Sequence, residues 1–252
     1  MKISGVVITL NEEEKIQACI ESLMQVCSEV IVLDSFSTDR TVEIAKECGA
    51  SVHQYAWQGY AATKNKANQL AQGNYILSLD ADEVLSSELI SSIHQLNEEN
   101  DTAFTMNRRN RFEGRWMYHT GWYPDKKLRL FPKKSARWEG DFVHEELVVN
   151  PGLQIQHLKG DILHYSADDS TGFYNRNKKY ALLRVQEKME NGGRMTWTGS
   201  LLSAIAEFIK RFFLQMGLMD GIRGLKLSWM HAKLKMARYS YYRAIKKGLN
   251  PN

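Results

Sequence analysis

Asp80, Asp82 and Glu83 stand in the run Asp80-Ala81-Asp82-Glu83, directly after the apolar stretch Tyr75-Ile76-Leu77-Ser78-Leu79. Carboxylates two positions apart at the end of a buried strand are hard oxygen ligands. They suit Mg2+ or Mn2+, ions that complete their shells with phosphate oxygens and water. A lone pair at this spacing is a weak signal, and its bland alternative is capping of the next helix, which Ser86 or Ser87 can do unaided. Two other apolar runs end in a similar way: the first leads to Thr9, Asn11 and Glu12, and the second ends at Asp34. Ligands of open α/β sheets bind beyond the carboxyl ends of the strands, so these groups are candidates for one site. Neither GxGxxG nor a GxxxxGK loop followed by Ser or Thr comes after the first run. That leaves a divalent cation as the route to neutralising a bound diphosphate.

These residues need a scaffold, and the first hundred positions supply alternating strand and helix patterns. Strands are predicted over Ile3 to Leu10, Val30 to Asp34, Ser51 to Tyr55 and Tyr75 to Asp80. Asn11 with Glu14 three residues on predicts a capped helix carrying Ile16, Ile20 and Leu23 on one face. Further helices are predicted from about Thr38 to Cys48, Tyr60 to Ala71 and Ser87 to Asn97. From Asp101 to Tyr165 the texture turns to short strands and aromatic residues, and after Thr171 it is helical, with breaks at Gly192-Gly193 and around Gly217 to Gly224. The division drawn from this is 1–168, with halves 1–100 and 101–168, then a helical region 169–252.

Three segments together resemble glycosyltransferase family 2: Val6-Val7-Ile8-Thr9-Leu10-Asn11-Glu12, Asp34-Ser35-Phe36-Ser37-Thr38-Asp39, and Leu77-Ser78-Leu79-Asp80-Ala81-Asp82-Glu83. The resemblance implies an α/β fold of the GT-A type, a nucleotide-diphospho-sugar transferase fold with a mixed central sheet, here followed by a helical C-terminal extension. It also implies inversion at the anomeric carbon. Thr9, Asn11 and Glu12 would line the nucleoside pocket, Asp34 would touch base or ribose, and Lys64, Asp80 and Ala81 would complete the nucleotide-sugar contacts. Asp82 would hold Mg2+ or Mn2+. Many members read DDGSTD at the second segment, so Ser35 replaces one acid here. Lys64-Asn65 lies where many relatives have Arg-Asn, with a solvated helix lysine as the alternative.

An inverting transfer needs a general base for the acceptor hydroxyl. Trp138-Glu139-Gly140-Asp141-Phe142-Val143-His144-Glu145-Glu146 offers candidates, and its Val-His-Glu core resembles the lipopolysaccharide-core glucosyltransferase subgroup. Glu145 is favoured as base over Asp141, with Glu146 facing outward. His144 would orient the base or a phosphate, with a structural histidine as the alternative. The same subgroup has a region like Gly121 to Phe131, where Asp125 and Arg129 alternate with apolar residues and are candidate acceptor or phosphate contacts. His164, ending the apolar Ile162-Leu163, is a candidate metal ligand, His157 a weaker one. The subgroup implies a UDP-sugar donor and transfer of glucose to a phosphorylated, lipid-linked or other cell-envelope glycan acceptor.

Of 252 residues, 43% are hydrophobic and 25% charged, ordinary for a globular protein. Three cysteines without metal-ligand spacing suggest reduced thiols in the cytoplasm. The net charge of +4 is uneven: from Ser203 onward ten basic residues face two acidic ones. With Phe208, Phe212, Phe213, Leu218, Ile222 and Trp229 interleaved, this region reads as amphipathic helix, fitted to an anionic membrane surface at the inner face of the cell membrane or simply packed on the catalytic domain. No apolar run is long enough to span a bilayer, and nucleic acid is not expected as a partner. Two other functions compete. A sugar-phosphate nucleotidylyltransferase needs a Gly-rich, Arg-containing loop that Thr9-Leu10-Asn11-Glu12 poorly replaces. A non-catalytic binder of acidic membranes or RNA would depend on the tail alone.

Overall fold

The computed structural model describes residues 1–96, 101–140, 145–167 and 170–249, which form two compact units. The first comprises Met1–Arg108 and Lys126–His164, the second Arg109–Asp125 and the chain from Tyr165 onward. In chain order the elements are β1 (Ile3–Thr9), α1 (Ile16–Met24), β2 (Glu29–Asp34), α2 (Thr41–Glu47), β3 (Ser51–Gln54), α3 (Tyr60–Leu70), β4 (Tyr75–Asp80), β5 (Glu83–Leu85) and α4 (Ser87–His94). Then come β6 (Thr102–Phe112), β7 (Arg115–Trp116), β8 (Asp125–Pro132), β9 (Ala136–Glu139), β10 (Glu146–Val149) and β11 (Gln154–Ala167). Three helices follow, α5 (Ser170–Glu190), α6 (Trp197–Ile209) and α7 (Gly221–Lys246), the last two joined by a π-helical turn (Lys210–Leu214) and a 3-10 turn (Gly217–Asp220).

The central sheet runs β3-β2-β1-β4-β8-β6-β11-β5. β1 pairs in parallel with β2 and β4, and β2 with β3, whereas β4 pairs antiparallel with β8 and β11 antiparallel with β5. This is the mixed sheet followed by helices that was expected. Alternation sorts the buried strand residues between two faces. Val7, Val32, Leu77 and Leu79 pack with Ile16, Ile20 and Leu23 of α1 and Leu89 and Ile93 of α4, while Val6, Ile8, Ile31 and Ile76 pack with Ala67 of α3 and Phe131 of β8. Burial on both faces is why β1, β2 and β4 read as continuous apolar runs.

Four local expectations are corrected. Asn11 does not cap α1, which begins at Ile16. Asn11 is left-handed (φ 54), and its side-chain oxygen accepts from the Thr38 amide at 2.8 Å, a partner far away in sequence. Helix α2 correspondingly starts at Thr41, because Thr38 is held by Asn11 and Asp39 accepts from the Thr41 amide. Glu83 opens a short strand that was not predicted, and β6 and β11, of 11 and 14 residues, are long where short strands were expected. Ser86 does cap α4: its hydroxyl accepts from Leu89 N at 3.2 Å and from Asp161 N at 3.0 Å, tying β11 to the helix start.

In the second unit α7 packs against both α5 and α6. Ala181 and Val185 of α5 meet Leu234, Tyr241 and Tyr242 of α7, and Phe112, Met117 and Leu227 form a second small core. His231 lies beside Phe173 with its Nε2 buried and without a hydrogen-bond partner. Burial, reinforced by the Arg211 charge, pushes its pKa down from 6.5 to about 3.

Two stability predictions follow from these contacts. Gly160 has φ +94, and a Cβ there would sit 2.3 Å from the Leu89 backbone nitrogen. Gly160→Ala should therefore cost more than about 2 kcal/mol, read as a lower urea midpoint. Below pH 6.5 the unfolded chain protonates His231 while the folded one, at about 3, does not, so stability falls with falling pH across that window. His231→Leu should remove a slope of up to roughly 1.4 kcal/mol per pH unit, seen as a flatter profile of Tm against pH.

Candidate active site

Strand register brings the predicted residues to one edge. Thr9 lies opposite Asp34, and Ile8 opposite Asp80, so the carboxyl ends of β2, β1 and β4 stand side by side, about 4.8 Å between neighbours. Thr9 is buried, and its hydroxyl has no hydrogen-bond partner. Asp34 is fully buried, with one carboxylate oxygen accepting from Ser37 N at 3.0 Å and the other from the Ser37 hydroxyl. That hydroxyl accepts in turn from Asn11 N at 2.8 Å. Asn11 and Asp34 thus shape the loop 35–38. Glu12 donates its amide to Thr41 Oγ1 and pairs its carboxylate with Lys15 at 3.2 Å. Phe36, which the sequence reading passed over, has φ 64 and an exposed ring. A left-handed bulky residue costs on the order of 1–2 kcal/mol, and such outliers cluster at functional sites.

The second group is an ion cluster. Lys64 is 1% exposed, which rules out a solvated helix lysine, and its Nζ lies 2.9 Å from Asp80 Oδ1 and 3.2 Å from Glu145 Oε1. Its position is set by the next residue. Asn65 accepts from Trp138 N at 2.9 Å and donates to Trp138 O at 2.7 Å, docking β9 on α3 and laying the Trp138 ring 4.5 Å from Lys64 Nζ. Arg129, also buried, reaches Asp80 Oδ2 at 2.9 Å and Glu83 Oε1 at 3.2 Å. Glu83 is fully buried, receives Arg108 at 3.3 Å and accepts from the Asp80 amide at 3.0 Å. Arg108 and the anchoring role of Glu83 were not seen in the sequence. The signal would have been a buried acid that needs a cation, which a single sequence does not supply.

Asp82 stands apart from that cluster, its Oδ2 3.3 Å from His164 Nε2. Pairing of β5 with β11 sets His164 opposite Glu83, which explains the approach. Ala81 is buried in the core beneath. Burial raises the Asp80 carboxyl, but Lys64 and Arg129 outweigh it and hold it well below the usual carboxylate range. Burial likewise raises Asp82, and its hydrogen bond and attraction to His164 bring it below its ordinary value. Burial alone would lower Arg129, and the charges of Glu83 and Asp80 raise it, so it stays protonated.

Asp125 belongs to the second unit. His157 is exposed, with Nδ1 3.1 Å from the Thr105 hydroxyl, and takes no part. Asp141 and His144 lie outside the described residues. Glu146 is exposed, as expected. Among the described residues no group of three or more His, Cys, Asp or Glu side chains is arranged to hold a metal ion. Asp82 with His164 supplies two ligands of suitable chemistry, which fits a divalent ion that takes its remaining ligands from a diphosphate and water.

Residues 4–149, more than half the chain, match the family described as glycosyl transferase family 2. The chain belongs to glycosyl transferase family 2. Similar proteins include an uncharacterized glycosyltransferase of Rickettsia typhi, 29% identical across 97% of this chain and 87% of its own length. The lipopolysaccharide core biosynthesis glycosyltransferase LpsC of Rhizobium meliloti is 26% identical across 84% of this chain and 81% of its own. Among solved structures, residues 1–349 of TarS from S. aureus align with all of this chain and 93% of that one, at 16% identity and a TM-score of 0.48. At that score the likeness adds nothing to the family assignment. Family membership makes this chain a glycosyltransferase, and the nucleotidylyltransferase and non-catalytic alternatives fall.

In this family 2 enzyme Arg129 serves two acids at once. Arg129→Met should leave Asp80 and Glu83 without their shared cation and cost roughly 3–5 kcal/mol at neutral pH by urea unfolding. Asp80 is depressed in the folded state, so its contribution is present above its ordinary value of 3.8 and lost as pH falls below it. The gap between wild type and variant should therefore narrow below that pH.

Proposed function

We propose that this glycosyltransferase moves glucose, with inversion, from UDP-glucose to a phosphorylated, lipid-linked acceptor of a lipopolysaccharide core or related cell-envelope glycan, from the cytoplasmic side of the membrane. The observation that carries the reading is the Lys64 bridge, which puts the donor-side acid Asp80 and the candidate base Glu145 on one buried ammonium. The likeness to LpsC supports the acceptor class.

In this scheme the donor's nucleoside lies along the Thr9, Asn11, Glu12 and Asp34 edge, and its ribose meets Asp80. Asp82 and His164 would hold Mg2+ or Mn2+, which supplies positive charge to the diphosphate as it leaves. Lys64 and Arg129 are fixed cations that keep Asp80 ionised and in place. Glu145 takes the proton from the acceptor hydroxyl as that oxygen bonds to the anomeric carbon. On the opposite side the bond from that carbon to the diphosphate oxygen breaks, and UDP departs with the bonding pair. Asp141 is the competing base, and His144 would orient the base or a phosphate.

The reading is tested by thermal stabilisation across a panel of nucleotide sugars, with and without Mn2+. UDP-glucose should raise Tm most, and only with the metal. Asp82→Ala should abolish the metal-dependent rise while the protein stays folded. Glu145→Gln should keep the rise yet lower turnover by about 100-fold or more. Sugar transfer retained by both variants overturns these roles.

A further inference from the structure

Helix α6 turns Ser200 and Ala204 inward and presents the opposite face to solvent. On that face Leu202 is 66% exposed, and Ile205 and Ile209 follow it at helical spacing. The stripe continues into the π-helical turn, where Phe213 is exposed and Leu214 is 76% exposed. It resumes beyond the bend with Leu218, Ile222 and Trp229, all more than half exposed. Ring contacts join the two arms: Phe208 stacks on Phe212 at 5.4 Å and meets Trp229 edge-on at 6.3 Å, and Phe212 meets Phe213 at 5.1 Å. Single exposed apolar residues need no explanation, but a contiguous apolar face does.

Charge decides what covers it. The two acids between Ser203 and Leu249 are both consumed inside this unit, Glu207 by Arg211 at 2.6 Å and Lys235 at 3.5 Å, and Asp220 by His119 at 3.0 Å. Lys210 and Lys233 are exposed beside the apolar stripe, and Lys233 Nζ lies 5.8 Å from the Trp229 ring centre. A second copy docking face to face would set these cations against their own images. An anionic lipid surface takes both parts, apolar side chains into the acyl boundary and ammonium groups to the phosphates. No helix among the described residues is long and apolar enough to cross a bilayer, so the stripe suits an orientation in the interface plane.

We propose that the bend between α6 and α7 is the face on which the enzyme docks to an anionic bilayer, inserting Ile209, Phe213, Leu214 and Leu218, with Lys210 and Lys233 on lipid phosphates. The purpose of this docking rests on the lipid-linked acceptor proposed above, while the docking itself does not. The test is flotation of the full chain with vesicles of phosphatidylcholine alone or mixed with phosphatidylglycerol, with UDP-glucose thermal stabilisation read on the same samples. Binding should be at least about tenfold tighter to the mixed vesicles. Phe213→Ser with Leu214→Ser should weaken it roughly a hundredfold, and Lys210→Glu with Lys233→Glu should remove the preference for phosphatidylglycerol. Both double variants should keep the donor-induced rise in Tm. Absent binding, equal binding to both vesicles, or undiminished binding by the serine variant overturns the proposal. A wild-type dimer that the serine variant dissociates, seen by light scattering, also overturns it in favour of a second copy. Vesicle binding without donor stabilisation would sink the donor assignment and leave the docking face standing.

Discussion

A lysine ammonium buried as deeply as that of Lys64 is the constraint on which the rest of the first unit depends. Removing such a charge from water costs several kcal/mol even after relaxation, so the fold must bring anions and a polarisable face to it. Asp80, Glu145 and the Trp138 ring do this from three different segments. β4 must therefore stop where it does, α3 must present Lys64 towards it, and β9 must be held on α3 by the Asn65 amide. An isolated attraction between any two of these groups would not fix so much. The requirement that one cation be satisfied by several partners does.

Glu83 extends the same logic to the mixed part of the sheet. A fully buried carboxylate accepts from the Asp80 amide and from arginines on β6 and β8. Those strands lie on the far side of β4 from β1, so the charge network crosses from the parallel half of the sheet to the antiparallel half. Groups aimed and satisfied before a ligand arrives need little reorganisation when it does, which is the condition for strong electrostatic assistance. Asp80 meets cations through both of its carboxylate oxygens, and Asp82, two residues on, meets only a histidine in the same set of contacts. The two acids of one short motif are thereby differentiated by their neighbours.

The sequence was legible where local chemistry decides structure. Tyr75–Asp80 reads as a strand because both faces are covered and nearly every residue is apolar, and Ser86 reads as a cap because its partner is three residues away. Asn11 shows the opposite case. Its pattern with Glu14 is that of a capped helix, yet its oxygen goes to Thr38, and nothing near Asn11 announces that competition. Arg108 and the ion-pairing roles of Glu83 and Arg129 were illegible for the same reason, since their partners are distant in sequence and a buried ion pair leaves no periodic trace. In the C-terminal helices the apolar residues were plain to see. Whether they faced a core or solvent was not, because helical spacing is the same in both cases.

The balance of charge in the first unit bears on how a donor can enter. Asp80, Glu83 and Glu145 are matched by Lys64, Arg108 and Arg129, and Asp82 has His164 beside it. Among these residues each cation is already engaged by an acid, so a diphosphate placed here would meet carboxylates with no unpaired cation between them. Drawing Lys64 or Arg129 away to the phosphates would strand a buried acid, at a cost comparable to the gain. On the reading proposed above, a divalent ion arriving with the donor would avoid that exchange, adding positive charge beside Asp82 and His164 and leaving the buried pairs intact. On that reading, the pairing that makes the cluster stable is also why a diphosphate donor would be held there through a metal rather than through Lys64 or Arg129.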